Sequence, residues 1–455
     1  MKKRIGCMAI AVVCASAMIH AQEAANGQWT LRQCIDHAMA HNVQLLKNRN
    51  AELQSVVDVK EAKAGLLPSL NASVSQNLNY RPFQETGGNF VNGGIATSAA
   101  DKATQSGSYG VNASWTVWDG QKTRLSVANA GLKQQMAVLD TQAEANSVKE
   151  QIAQLYTQIL YMKEAARVNR QLLSQDSVVL ARGQEMVQVG QMARADLAQL
   201  EAQVSQGRYD VVNVQTQIAD ARMQLRQLLE LPDSVPFDVA DSQCSDADVM
   251  GQIPSLESSV EAALANRPEM VRSKLAIEQS QLSTKLARKG YLPTVSLTGS
   301  LGDSHMTGAQ NNFFNQMKQN FSAMVGVSVS IPIFDNRKTK SAVERAQLAE
   351  TTAQLDLLDQ EKQLRKSVET YWLNATNSQA KYEAARDNVR SLNASYTLMN
   401  EQFQVGLKNI AELLNSRSGL LNAEQQMLQD KYTAWLNRSL LAFYAGEELG
   451  EVSDK

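Results

Sequence analysis

A run of about 68 residues without proline, Gln121 to Gln188, constrains this chain more than any other feature. Its glycines, Gly131 and Gly183, are isolated. One uninterrupted helix is therefore allowed, and at about 1.5 Å per residue it would reach roughly 100 Å. No globular core needs a helix of that length. The residues after Val189-Gly190 show what supports it. Leu197, Leu200, Val204, Val211, Val214, Ile218, Ala221, Leu225 and Leu228 advance by threes and fours, and only the slot at Gly207 lacks an apolar side chain. That is the heptad seam of a coiled coil. The outgoing limb answers with Ile152, Leu155, Ile159, Met162, Ala166 and Leu173. The spacing predicts an antiparallel helical hairpin whose tip is the turn at Val189-Gly190.

The pattern occurs twice. A shift of 216 carries Trp118-Asp119 onto Phe334-Asp335, Tyr156 onto Trp372, Val189-Gly190 onto Val405-Gly406 and Leu197 onto Leu413. A shift of 225 carries Leu31 onto Leu256, Ile35 onto Val260, and Gly65-Leu66-Leu67-Pro68 onto Gly290-Tyr291-Leu292-Pro293. Each register holds without a gap across its own segment, so the chain is an internal duplication. The organisation that follows is a leader over 1–21, a first repeat over 22–231, a connector over 232–254, a second repeat over 255–446 and a tail over 447–455.

The leader has a basic start (Lys2-Lys3-Arg4), an apolar run from Ile5 to Met18 and a close at His20-Ala21-Gln22. That is the form of an export signal cut after Ala21. The alternative is a lipid-anchored start at Cys14, against which the bulk of Val13 counts. No later run reaches the roughly 18 apolar residues of a membrane helix. The formal net charge is −2, and loss of the leader would leave roughly −5, with no basic footprint for nucleic acid. Cys34 and Cys244 remain after cleavage. They could pair in an oxidising compartment, but two unpaired residues are the expectation.

In the first repeat, Thr30 to Gly65 reads as one helix, ended by Leu67-Pro68 because the residue before proline disfavours helix. The period then changes to two. Leu70, Ala72, Val74, Leu78 and Tyr80 alternate with Asn71, Ser73, Ser75, Asn77 and Asn79, a strand with one apolar and one polar face. Arg81 to Ser108 is rich in Gly, Asn, Ser and Ala and reads as a long loop. A second strand puts Tyr109, Val111, Ala113, Trp115 and Val117 on one face, after which Asp119 can cap the long helix. The second repeat opens at Ser255. It offers strands over Thr294 to Leu301 and Phe321 to Ile333, with Gly302 to Asn320 as a loop between them.

Strands of about ten residues suit a tilted crossing of a bilayer, and their polar faces carry Ser, Thr, Asn and Gly rather than charge, as a barrel lumen would. Four strands cannot close a barrel, and open sheet edges are not tolerated in lipid. Several copies of the chain must then complete it.

The layout resembles the TolC-like outer-membrane efflux channels over about Thr30 to Gly446. The residues that carry the resemblance are Leu67-Pro68 and Leu292-Pro293 ahead of strands, Trp118-Asp119 and Ile331-Pro332-Ile333-Phe334-Asp335 ahead of long helices, and the turns Val189-Gly190 and Val405-Gly406-Leu407. The resemblance implies a mainly α fold with a small membrane β-barrel. Three copies would supply a twelve-stranded barrel and a twelve-helix tunnel in the periplasm. It further implies an exit duct for drugs, metals or proteins, set in the outer-membrane lipid. The partners implied are a periplasmic adaptor and an inner-membrane efflux pump, and no cofactor is needed. By the same resemblance Val189, Gly190, Val405, Gly406 and Leu407 meet the adaptor. Asp196, Phe403, Lys408, Glu412 and Asn415 fall at the gate, where Asn415 replaces an expected acid and Lys408 an expected arginine. Three copies of an acid around a narrow axis would repel one another and bind cations. The Asn415 replacement weakens that ring, and lysine cannot make arginine's planar bidentate pair.

Enzymatic readings fare badly. His37 and His41 sit at i, i+4, but no third metal ligand is nearby. His305 stands alone in a loop, and phosphate-binding Gly loops, nucleophile elbows and HExxH motifs are missing from the sequence. The rival from another class is a periplasmic coiled-coil adaptor or scaffold, which would carry one hairpin rather than two matched ones.

Overall fold

A computed structural model describes residues 27–83, 86–91, 94–99, 102–241, 244–307 and 312–449. The expected leader, and the tail beyond residue 449, lie outside the described residues. The chain is mainly helical. The first repeat runs β1 (Gln28–Trp29), α1 (Leu31–His41), α2 (Val43–Ala64), β2 (Ser69–Tyr80), β3 (Thr86–Val91), β4 (Gly94–Ala99), β5 (Ala103–Trp118), α3 (Lys122–Gln188) and α4 (Arg194–Leu228). The connector holds β6 (Asp238–Val239) and α5 (Asp246–Val249). The second repeat runs α6 (Leu256–Asn266), α7 (Pro268–Arg288), one 3-10 turn, β7 (Thr294–Met306), α8 (Phe313–Asn320), β8 (Ser322–Ser330), α9 (Lys338–Gln404) and α10 (Ile410–Tyr444). Both outgoing helices have 67 residues and both return helices 35. The duplication therefore survives in three dimensions.

The helix expected over Thr30 to Gly65 is two helices. Asn42 breaks it with ψ of 124°; its side chain accepts from Leu45 N at 3.1 Å and donates to Leu228 O at 3.0 Å. The matching break in the second repeat is Arg267, with ψ of 129°. There the cause is Pro268, which excludes the helical region for the residue before it. One break rests on a capping amide, the other on a ring.

The loop expected over Arg81 to Ser108 contains most of a hairpin. Strands β3 and β4 pair from Thr86↔Ala99 to Val91↔Gly94, and β5 starts six residues before Tyr109. In the second repeat β7 extends to Met306 and the remaining loop holds α8. The last strand is shorter than Phe321 to Ile333, because the ladder ends at Ser330, ahead of Pro332.

Both long helices start alike. Asp119 Oδ2 accepts from Thr123 N at 2.8 Å and Asp335 Oδ2 from Thr339 N at 2.8 Å. The intervening backbone takes positive φ at Gly120 and Gln121, and at Asn336 and Arg337. The aspartate thus satisfies a free amide of the first turn while the chain turns sharply out of the strand.

The chain divides into two compact units. One takes Met1–Ala51, Val138–Ser273 and Asp356–Lys455, the other Glu52–Ala137 and Lys274–Leu355. Each draws on both repeats. The first unit has a core of heptad residues, including Ile152, Tyr156, Ile159 and Leu225, that also takes in Cys34, Val239 and Cys244. Both thiols are free, and burial pushes each up to about 12.

The connector is fastened to both hairpins within this unit. Lys163 of α3 donates to Val239 O at 2.6 Å and pairs with Asp238 at 3.3 Å. Further along, Tyr382 of α9 donates to Asp246 at 2.6 Å and Lys431 of α10 pairs with it at 3.3 Å. A stretch without periodicity is thereby held through its charges.

Candidate membrane sheet and hairpin tips

The second unit contains the antiparallel sheet β2-β5-β7-β8. Its registers set Ala72 beside Val111, Val111 beside Leu301, and Leu301 beside Ala323, one apolar file across four strands. Another file is Trp115, Leu297 and Val327. Residues opposite one another share a face, so one side of the sheet is mainly apolar, interrupted by Gln76, Gln105 and Asp303 toward the end away from the long helices. The other side pairs Ser73 with Gly110, Asn112 with Ser300, and Ser300 with Met324. Apart from Met324 and Met306 it is a surface of small polar groups and glycines.

The apolar side is bare. Val74 is 72 % exposed, Leu78 77 %, Val325 81 % and Val327 69 %. A water-soluble sheet buries such a face, whereas lipid solvates it. Strands β2 and β8 have a ladder partner on one side only among the described residues. Among those residues no helix is long and apolar enough to cross a membrane.

Aromatic rings flank the apolar band. Trp118 lies at the end near the long helices and Tyr109 and His305 toward the other, with Trp115 inside the band in the file of Leu297 and Val327. Strict alternation would turn Trp118 to the polar side with Thr116. A bulge between Thr116 and Trp118 instead sets Trp118 opposite Val295, on the apolar face. From Tyr109 to Trp118 is roughly 30 Å along the strand. A tilt of about 40° shortens that to about 23 Å, close to the ~25 Å apolar band of membrane barrels.

The hairpin tips are built the same way twice. Gly190 donates to Val187 O at 3.1 Å and Gln191 to Met186 O at 2.8 Å. Gly406 donates to Phe403 O at 3.0 Å and Leu407 to Gln402 O at 2.9 Å. Both are Schellman ends, whose C′ residue must be left-handed, and φ is +74° at Gly190 and +78° at Gly406. A Cβ at either glycine would have no atom within 4 Å. Alanine there is expected to cost roughly 1 kcal/mol per site from backbone strain alone. Thermal unfolding of Gly190→Ala and Gly406→Ala would measure it; a several-fold larger loss would mean a contact the glycines conceal. Val189, Val405 and Leu407 project outward, exposed by 68 %, 70 % and 75 %.

The restart differs between repeats. Asn409 caps α10, accepting from Glu412 N at 2.9 Å while Glu412 Oε2 accepts from Asn409 N at 3.3 Å. Glu412 Oε1 also accepts from Lys408 Nζ at 2.9 Å. The Lys408 hydrogen bond, with the Asn409 amide, holds the Glu412 carboxyl below its ordinary range. In the first repeat the cap position is Ala193, which has no side-chain bond to offer, and Asp196 lies half-buried in the first turn of α4. Phe403 packs against the cluster of Leu200, Ile410 and Leu413. Asn415 is exposed on α10. The fold therefore brings Lys408 and Glu412 into contact and sets Phe403 under the same tip. His37 and His41 stack on each other with ring centroids 4.2 Å apart.

Sequence reasoning missed a buried ion pair above the tip. Asp176 of α3 and Arg417 of α10 join the two hairpins and are 6 % and 4 % exposed. Gln203 of α4 also bonds Asp176. Burial pushes the Asp176 carboxyl up, and the guanidinium opposes that shift. One heptad away, Gln425 donates to Asn169 at 3.0 Å. The signal was a run of polar residues, Asn169 and Asp176, on the apolar phase set by Leu155 and Met162.

A sheet with one exposed apolar face and a pair of matched helical hairpins in the same chain define a membrane-sheet and hairpin protein. The chain belongs to the outer membrane efflux protein family, whose sequence model matches residues 34–230 and 259–447 and so covers both repeats. It is 23 % identical over 422 residues to the outer membrane efflux protein BepC of Brucella suis, covering 92 % of this chain and 86 % of that one. To the outer membrane protein TolC of Escherichia coli it is 24 % identical over 429 residues, covering 90 % and 80 %. The outer membrane protein VceC of Vibrio cholerae superposes with a TM-score of 0.76 at 14 % identity, covering 92 % and 97 %, and shares the fold. The protein is accordingly an outer-membrane efflux channel component. The relatives are channel proteins rather than enzymes.

Proposed function

We propose that three copies of this chain close a twelve-stranded barrel in the outer membrane and continue it as a twelve-helix tunnel in the periplasm. The observation that carries this reading is the sheet: one bare, mainly apolar face and two edge strands that, among the described residues, each have a partner on one side only. Unsatisfied edges cost several kcal/mol per polar group in lipid, and pairing β2 of one copy with β8 of the next removes them. The detergent-solubilised protein should run as a heat-sensitive particle of three chain masses in the outer-membrane fraction. A monomer released by osmotic shock would favour the scaffold reading.

The tips are then the docking end. Val189, Gly190, Val405, Gly406 and Leu407 receive a periplasmic adaptor, which couples the tunnel to an inner-membrane pump. A photo-crosslinker at Val189 or Val405 should capture that adaptor, and one at Tyr209, exposed midway along α4, should not.

Asp196, Phe403, Lys408, Glu412 and Asn415 set the gate, with Lys408 holding Glu412 so that three acids do not splay the helices by repulsion. Lys408→Ala or Glu412→Ala should raise single-channel current in planar bilayers; unchanged conductance would remove them from the gate. The pH sign follows from the lowered Glu412 pKa. The tie is complete above the ordinary carboxylate range and is lost as pH falls through the depressed value. Loosening through this tie therefore belongs to the acid side only.

A further inference from the structure

We propose that α8 is an interfacial helix, seated in the phosphate-bearing headgroup layer of the bilayer at the end of the sheet remote from the long helices. This rests on the membrane reading of the sheet given above.

A connection between two neighbouring strands has only to turn, yet this one carries an eight-residue helix with its own cap, Asn312 accepting from Asn315 N at 3.0 Å. One face of the helix is fastened to β7. Gln316 is buried, accepts from Met306 N at 2.8 Å and donates to Met306 O at 3.1 Å. Its amide thus occupies the place of a neighbouring strand. Asn320, one turn on, donates to Ser304 O at 2.6 Å. The fastened face leaves Phe314 and Lys318, also one turn apart, on the outside, with Phe314 79 % exposed.

The rings show which side of the sheet this face continues. His305 lies on the same face as Leu301 and Leu297, one step beyond Asp303, since side chains alternate along β7. Its ring lies across Gly107, where a Cβ would meet it at 2.2 Å, so the imidazole is laid along the sheet. From there an unbroken ladder leads onto the helix. Centroids are 5.8 Å apart from Tyr109 to His305, 4.8 Å from His305 to Phe313 and 5.6 Å from Phe313 to Phe314. A lid over the pore would turn its rings toward the Ser and Asn side, but these extend the apolar face. Aromatic rings with one polar tip favour the boundary between lipid and water, and Lys318 beside Phe314 supplies a cation for phosphate while its stem stays in apolar surroundings.

The test is spin labelling of the full-length protein in vesicles of phosphatidylethanolamine and phosphatidylglycerol, at Phe314→Cys, Val327→Cys and Gln191→Cys. The native Cys34 and Cys244 are buried and removed from labelling. The Phe314 label should collide with oxygen rather than a water-soluble nickel chelate by a ratio several-fold above that at Gln191, and should lie shallower than Val327. Lys318→Glu should move the Phe314 label toward water. A Phe314 label as wet as Gln191 while Val327 stays in lipid would overturn the interfacial helix and leave the membrane sheet standing. Val327 also in water would overturn both. No response to Lys318→Glu would remove the phosphate contact.

Discussion

Arg417→Ala is expected to destabilise the paired hairpins by about 3–5 kcal/mol. The guanidinium and the Asp176 carboxylate are both nearly sealed from water, so removing one leaves the other as an uncompensated buried charge. The attraction itself contributes little beyond repaying desolvation. Joint replacement by apolar residues of similar volume, Asp176→Leu with Arg417→Met, should therefore be neutral or stabilising by about 1–4 kcal/mol. Urea unfolding followed by helical circular dichroism would read both variants. A single-variant loss within about 0.5 kcal/mol, the size of an ordinary surface change, would mean that water already reaches the pair. The Asn169–Gln425 contact one heptad away makes a second polar layer in the same seam, a pattern that fixes register between helices at some expense of stability.

Val327→Arg should be the most damaging exposed substitution in the sheet, destabilising the membrane-inserted protein by roughly 2–4 kcal/mol if its position is near the bilayer midplane. Val327 lies in the middle of the apolar face, between Val325 and Val329. Its neighbour Ser328 points to the polar side opposite Ser296. Ser328→Arg should leave stability close to that of the unchanged protein and alter ion selectivity instead, because a charge on the lumen side stays in water. The pair makes the test strict, since the two sites are adjacent in sequence and equally removed from the helices. Unfolding in lipid vesicles, together with bilayer currents, should separate them. Equal damage from both would mean that the sheet has no lumen side.

Much of this was legible in the sequence, and particular residues show where legibility ended. The alternation from Leu70 to Tyr80 predicted the two faces of β2, yet not that Trp118 joins the apolar face. That depends on a bulge, visible only once β5 is laid against Val295 of β7. The glycines of the tips identified the turns, because a left-handed C′ residue is a local demand. The hairpin β3–β4 was hidden in a stretch of weak strand formers such as Gly87, Gly88 and Asn89. Pro268 announced the break between α6 and α7, whereas the matching break at Asn42 carries no such mark and depends on Leu228, a residue 186 positions away.

Periodicity alone, then, determined the duplicated plan, the coiled hairpins and the two-faced strands, since a helix or strand repeats its demand every few residues. The tertiary structure decided the meetings: Asp176 with Arg417, Lys163 with the connector, Gln316 with Met306. Each polar group there had to find one specific partner outside its own element once water was excluded, across 241 positions for Asp176 and Arg417 but only ten for Gln316 and Met306, and no local pattern encodes which partner that is.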